Sequence, residues 1–266
     1  MKRTGFSQSV IDIVFDWVIT VNEWMIRISD EHQEDSNVLT VMVQRMRMRC
    51  TISFTTEQKT VMGIEDFLSS GNLRLDQQLK FTAEIDRMTE VYRRTILISG
   101  VRNENDAEHS WHIAVMALLL KEYCVEEPNV ERAMKMCVVH DLIEIYAGDT
   151  FAYDVKGNED KAEREAAAAD KLYAQLPAEQ GTELRALWEE FDAMETVDAK
   201  YASCLDRLQP LLHNTLTEGH TWRNGGAVRP QIEERMHIIS EFMPEVYEWV
   251  SKNLDRAVAL GWLKEK

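Results

Sequence analysis

An all-α fold is predicted for this chain by three observations. Only 5 prolines and 11 glycines interrupt its 266 residues, so few positions are built to break regular structure. Apolar residues recur every third or fourth position along most of the chain, which is the spacing of one helix face. Strand-like alternation has almost no room, and the one short candidate, Thr51-Ile52-Ser53-Phe54, lies near the N-terminal end.

Helices are predicted over residues 73–97, 105–124, 129–145, 158–176, 179–193, 196–218 and 230–250, with a short one near 252–260. Asn105 or Asp106, Asn129 and Asn158 stand where an N-cap side chain would accept the first free backbone N–H groups. Pro230 suits a first helical turn, and Gly219 and Gly261 suit helix ends. Pro210 lies four residues after Asp206, so the Asp206 carbonyl loses its helical donor and a kink is expected there.

The length allows one large core. We read residues 62–266 as that domain and residues 1–61 as an N-terminal extension of uncertain order and different composition. The extension carries a methionine- and arginine-rich run, with Met42, Met46 and Met48 alternating with Arg45, Arg47 and Arg49. Met62 opens a more ordinary N-terminus, so the preceding segment reads as an extended reading of the gene. Residues 10–28 are apolar in places, but Asp12, Asp16, Glu23 and Arg27 make the stretch too polar to span a bilayer, and it lacks a signal-peptide layout.

Charge narrows the function. With 30 basic against 46 acidic residues the net charge is -16, the wrong sign for holding a nucleic acid polymer by its phosphates. A small anionic ligand remains compatible with local positive charge. Cys50, Cys124, Cys137 and Cys204 form no Cys-x-x-Cys pair, which points to a reducing, cytoplasmic setting.

The chemistry is concentrated at His140-Asp141, followed by Glu144, on a helix whose preceding turns are apolar. Burying three ionisable groups in one turn without a cation or partners would cost several kcal/mol. His109 shares a stripe with Ile113, Met116 and Leu120, which turns its ring inward. A lone histidine on such a face is more often a hydrogen-bonded core residue, and Asp206 alone is better read as pairing with Arg207 or a neighbouring helix. Taken together, His109, His140, Asp141 and Asp206 offer two imidazoles and two carboxylates. That set suits one divalent ion, with manganese, cobalt, iron or nickel favoured over zinc or magnesium.

These residues, in this order, resemble the HD-domain metal-dependent phosphohydrolases, close to the 5'-deoxynucleotidase branch. The resemblance rests on Asn105-Asp106-Ala107-Glu108-His109-Ser110, His140-Asp141-Leu142-Ile143-Glu144 with Gly148-Asp149-Thr150, and Leu205-Asp206-Arg207-Leu208-Gln209-Pro210. It covers about residue 73 to the end. It implies an HD-domain helical bundle with a buried single-metal site held by His109, His140, Asp141 and Asp206. Glu144 and Asp149 match the family's acidic residues near the attacking water and the nucleotide. A phosphate-holding arginine precedes the first metal histidine, and here Arg93 and Arg94 both qualify. Some deoxynucleotidases carry an aromatic residue just after that arginine; here Arg94 or Thr95 stands there, which leaves deoxyribose selectivity open.

The implied reaction is metal-dependent hydrolysis of (deoxy)nucleoside 5'-monophosphates by a homodimer with no nucleic acid polymer or membrane as partner. Two rivals stay open: an HD phosphohydrolase acting on another nucleotide, and a catalytically silent nucleotide-binding helical protein. Glu144 and Asp149 weigh against the second, because a silent protein has no use for them.

Overall fold

In a computed structural model the described residues are 67–154 and 156–266. The run at residues 41–50, the strand proposed at 51–54 and the remainder of the N-terminal extension lie outside them. Ten α-helices make up most of the described part: α1 (Leu73–Glu84), α2 (Asp106–Leu119), α3 (Val130–Val139), α4 (Glu144–Ala147), α5 (Lys161–Tyr173), α6 (Ala178–Ala193), α7 (Val197–Leu216), α8 (His220–Gly225), α9 (Arg229–Phe242) and α10 (Pro244–Ala259). Two short strands, β1 (Tyr92–Ile96) and β2 (Asn103–Asn105), pair antiparallel.

The first predicted helix stops early. Residues 85–90 tighten into a 3-10 turn, and the chain then extends as β1 where a helix to residue 97 was expected. The reason is local: Val91, Tyr92, Thr95, Ile96 and Ile98 are β-branched or aromatic, residues that fit a pleated strand. In β1 the side chains alternate, so Arg93 and Thr95 turn inward while Tyr92 and Arg94 are exposed. Leu97 N–H donates to Arg102 O across the hairpin at 3.0 Å.

Helix α2 starts at Asn105, whose side chain accepts from Glu108 N–H while Glu108 reaches back to the Asn105 N–H, a complete capping box. Arg102 forks onto the Glu108 carboxylate and braces this corner. The buried face of α2 runs Asp106, His109, Ser110, Ile113, Ala114, Met116 and Ala117, a helical stripe that carries His109 into the interior. Asn129 caps α3 as expected. Asn158 does not cap α5, which begins after Asp160; its amide instead donates to Phe151 O and Asp154 O and ties down the loop before α5.

The helix predicted over 129–145 is two pieces. After Val139 the hydrogen bonds shorten to an i+3 pattern, with Leu142 N–H on Val139 O and Glu144 N–H on Asp141 O, before α4 resumes. The helix predicted over 230–250 is also two, because Pro244 excludes helical geometry from Met243, which sits at φ -136° and ψ 64°. The C-terminal piece absorbs the short helix expected near 252–260. Helix α7 continues through Pro210.

The core has two parts. One gathers α2, α3, α7, α9 and α10 around Ile113, Met136, Leu205, Leu211, Ile239 and Leu254; the other gathers α1, α4 and α5 around Phe81, Ile143, Leu172 and Tyr173. Met136 and Cys137 belong to the first, Val139, Leu142 and Ile143 to the second. The turn holding His140 and Asp141 therefore lies on the seam. Trp222 and Phe242 fill the core, whereas Trp249 is 39% exposed.

A packing test follows from Gly181 on α6, where an added Cβ would lie 2.4 Å from the Tyr173 carbonyl oxygen, a backbone atom that cannot swing away. Gly181→Ala is expected to destabilise the protein by about 1–3 kcal/mol, read as a lowered urea midpoint at unchanged slope.

Candidate metal centre

Three helices deliver the site. α2 supplies His109, the turn after α3 supplies His140 and Asp141, and α7 supplies Asp206; all four are buried. His109 Nε2 lies 3.1 Å from Asp206 Oδ1 and 3.9 Å from Asp141 Oδ2. His140 Nε2 lies 3.1 Å from Asp141 Oδ2 and 3.8 Å from Asp206 Oδ1. The predicted quartet is thus brought together: the ligand atoms of His109, His140 and Asp206 lie within 4.8 Å of one another, as do those of Asp106, Asp141 and Glu144 and those of Glu104, His112 and His213.

The tautomers can be argued from the partners of the other ring nitrogens. His140 Nδ1 sits 3.0 Å from the Cys137 carbonyl oxygen, an acceptor only, so Nδ1 carries the proton and Nε2 presents a lone pair. For His109 the determining contacts lie further out. His213 Nδ1 sits 3.1 Å from Ile96 O and must donate to it; burial lowers the His213 pKa to about 4, so the ring is neutral and its Nε2 accepts. The Gln209 group 3.1 Å from that nitrogen is therefore its NH2, which also donates to Glu104 and faces His112 Nδ1. Gln209 Oε1 then points at His109 Nδ1, 3.1 Å away, and takes its proton. His109 Nε2 is left as a lone pair aimed at Asp206.

Two lone pairs and two carboxylates converging in the interior repel one another unless a positive charge sits among them. His140 Nε2 makes no hydrogen bond although it is buried. Burial alone would disfavour its charged form, yet Asp141 and Asp206 outweigh burial and lift the His140 pKa to about 10. At His109 burial wins, helped by Arg93, and the pKa falls to about 4. The field between the two rings thus calls for one cation, and a divalent ion bound there would displace the proton. Nitrogen and carboxylate donors in this mixture fit a divalent transition ion.

Around the quartet stands a second layer. Arg93 Nη1 reaches Asp141 Oδ2 at 2.8 Å and Asp106 Oδ1 at 3.2 Å, with Nε 3.8 Å from Glu104. Three carboxylates surround this arginine, and its buried Nε makes no hydrogen bond. Arg94, one residue on and facing the other way, is 56% exposed, stacks over Phe151 at 4.7 Å and lies 3.8 Å from Asp154. Glu144 is buried beside Asp141 and Asp106, with Oε2 unpartnered. Burial and the neighbouring carboxylates hold its pKa well above the usual range. Asp149 is also raised, chiefly by burial. Glu144, Asp149, Arg93 and Arg94 all line one cavity with His140, Asp141 and Asp206.

Sequence reading missed Glu104, Asp106, Gln209, His213 and Arg235 as contributors. For Gln209 a signal existed: it sits three residues after Asp206, on nearly the same helix face. For Arg235, which comes 29 residues later and touches Asp206 Oδ2 at 3.3 Å, no spacing rule could have found it.

A model of the HD domain matches residues 85–247, which takes in every residue of the quartet. The chain belongs to the HD domain family. The crystal structure of a predicted metal-dependent phosphohydrolase from Magnetospirillum magnetotacticum MS-1 is similar, with 44% identity and a TM-score of 0.68, covering 73% of this chain and 100% of that one. Among curated proteins, the 5'-deoxynucleotidase HDDC2 of Bos taurus is 34% identical over 53% of this chain and 63% of its own length. That of Xenopus laevis is 30% identical over 54% of this chain and 69% of its own. The chain thus spans about two thirds of the length of the curated relatives it matches.

If the Gln209 amide fixes the His109 ring, Gln209→Leu should weaken binding of a divalent ion by about 10- to 100-fold in a protein that still folds. A Mn²⁺ titration followed by calorimetry checks this; unchanged affinity would show that the ring needs no such support.

Proposed function

We propose that this protein hydrolyses nucleoside 5'-monophosphates, ribo or deoxy, to nucleoside and phosphate, using one divalent ion held by His109, His140, Asp141 and Asp206. The observation that carries this reading is the convergence of two imidazole lone pairs and two carboxylates at the wall of a cavity that also presents Glu144, Asp149 and Arg94. Similarity to 5'-deoxynucleotidases supports the substrate class. When bound, the ion supplies Lewis-acid polarisation of the phosphoryl group and acidification of water.

The side chains divide the remaining work. Glu144 lies next to Asp141 with Oε2 unpartnered, so it is placed to orient the attacking water and, when ionised beside the bound ion, to accept its proton. Asp149, with its pKa raised, keeps a proton more readily than an exposed aspartate and can donate to the leaving 5' oxygen or hold the sugar. Arg94 is the arginine free to grip the phosphate, since Arg93 is committed to Asp141, Asp106 and Glu104. Arg93 instead holds the ligand carboxylate Asp141 in place.

Finer assignments belong to the same proposal. The mixed nitrogen and oxygen donors favour manganese, cobalt, iron or nickel over zinc or magnesium. A cytoplasmic setting is supported by Cys124, Cys137 and Cys204, which are free thiols. Among the described residues no helix is long and apolar enough to cross a membrane, and the acidic net charge disfavours nucleic acid polymers. A homodimer is supported by the exposed apolar stripe Trp111, Val115, Leu118 and Leu119 on α2. Residues 62–266 are taken as the catalytic unit, so a chain beginning at Met62 keeps its turnover.

Three variants test the scheme with phosphate release and metal content as readouts on a panel of ribo and deoxy monophosphates. Asp141→Ala loses both the ion and the activity; full activity in the metal-free variant would refute the mechanism. Arg94→Ala raises KM by about 10- to 100-fold, the worth of a charge-assisted contact, with the fold intact. Arg93→Met, by contrast, strands buried carboxylates and lowers stability by about 3–5 kcal/mol, seen in urea unfolding.

A further inference from the structure

The two carboxylates of the quartet meet their arginines differently. At Asp141 one oxygen faces both neighbours, with Oδ2 2.8 Å from Arg93 Nη1 and 3.1 Å from His140 Nε2. At Asp206 the neighbours are divided between the oxygens. Oδ1 faces the imidazoles, 3.1 Å from His109 Nε2 and 3.8 Å from His140 Nε2, while Oδ2 meets Arg235 Nη2 at 3.3 Å. Arg207 is the next cation to that oxygen, but its Nη1 stands 3.8 Å away and donates instead to Ser203 O at 2.9 Å. Because both imidazoles present lone pairs toward the place for the ion, Arg235 is the one side chain among the described residues that donates a hydrogen bond to Asp206.

Helix packing delivers this contact. Ile232, Met236 and Ile239 form a buried stripe on α9 and share one part of the core with Leu205, Leu208 and Leu211 of α7. Arg235 stands beside that stripe, one residue before Met236, so its guanidinium reaches α7 at Asp206 while 31% of the side chain stays exposed. It also lines the cavity at the metal centre.

A carboxylate holds a cation through one oxygen or through both. With a guanidinium donating to Oδ2, the second mode would give up that hydrogen bond and bring two positive centres onto one oxygen. The choice matters for chemistry, because an ion that acidifies water and polarises a phosphoryl oxygen needs positions that the protein leaves open. One donor atom from each residue of the quartet leaves such positions, and a second oxygen from Asp206 would close one.

We propose that Arg235 is a positioning residue that confines Asp206 to ligation through Oδ1 and thereby keeps one place on the ion open for water or substrate. The inference rests on the reading of His109, His140, Asp141 and Asp206 as the site of a single divalent ion.

The test compares the Mn²⁺-loaded full chain with Arg235→Met, in which an apolar side chain of similar length fills the space and leaves Oδ2 without a donor. Water ligands on the bound Mn²⁺ are counted from EPR line broadening in ¹⁷O-enriched water, and affinity is read by calorimetry. Arg235→Met is expected to hold about one water fewer than the wild-type chain, the second Asp206 oxygen having replaced it. It should bind Mn²⁺ no more weakly, since a donor is gained and a neighbouring positive charge removed. At saturating Mn²⁺, its kcat for phosphate release from 5'-monophosphates should fall by about 10- to 100-fold. An unchanged water count in Arg235→Met overturns the proposal, and weaker binding with that unchanged count marks the contact as structural only. Should the variant fail to fold, a crystal structure of the Mn²⁺-loaded wild-type chain decides the matter. One Asp206 oxygen within roughly 2.6 Å of the ion and the other on Arg235 supports the role, whereas both oxygens within that distance overturn it. A wild-type chain that binds no Mn²⁺ rejects the metal centre and the proposal with it. A chain that shows the change in water count but releases no phosphate rejects the reaction alone and keeps the role of Arg235.

Discussion

Asp206 carries its charge into the interior at the point where α2, α7 and α9 meet, with Oδ1 3.1 Å from His109 Nε2 and Oδ2 3.3 Å from Arg235. Burial would raise its pKa, yet the neighbouring His109, His140 and Arg235 hold it well below the usual carboxylate range. A buried anion of this kind must be surrounded by positive charge or lone-pair partners with a cation between them. The residues around it satisfy that demand in two directions. Toward Oδ1 lie the imidazoles and the place for a divalent ion, and toward Oδ2 lie two guanidinium groups.

Orientation of the imidazoles depends on groups remote from the centre. The Ile96 carbonyl on β1 sets the His213 tautomer, His213 sets the Gln209 amide, and Gln209 sets His109. A strand that contributes no ligand therefore helps decide which nitrogen of His109 faces the cation. The hairpin has a second use, since its alternation sends Arg93 to Asp141 and Arg94 to the cavity mouth. Adjacent arginines of identical chemistry thus acquire different tasks from the pleat alone.

Much of the helical framework was legible in the residue pattern, because amphipathic spacing and caps such as Asn105 and Asn129 act over a few positions. The errors have physical causes of the same local kind. The β-branched run from Val91 to Ile98 outweighed the helical spacing assigned to it, and Pro244 divided α9 from α10. The tightening after Val139 had a different origin: it follows from packing Met136 and Cys137 into one part of the core and Leu142 and Ile143 into the other. No local signal marks that seam.

Residue type and order by themselves determined the candidate donor set, because an imidazole next to a carboxylate on an apolar helix has few other uses, and His109 and Asp206 stand on inward-facing stripes. That Arg93 is spent on Asp141 while Arg94 stays clear of it was decided only by tertiary structure, as was the meeting of Arg235 with Asp206. Charge pairing depends on distances of 3–4 Å, and those distances are created when elements far apart in the chain pack together.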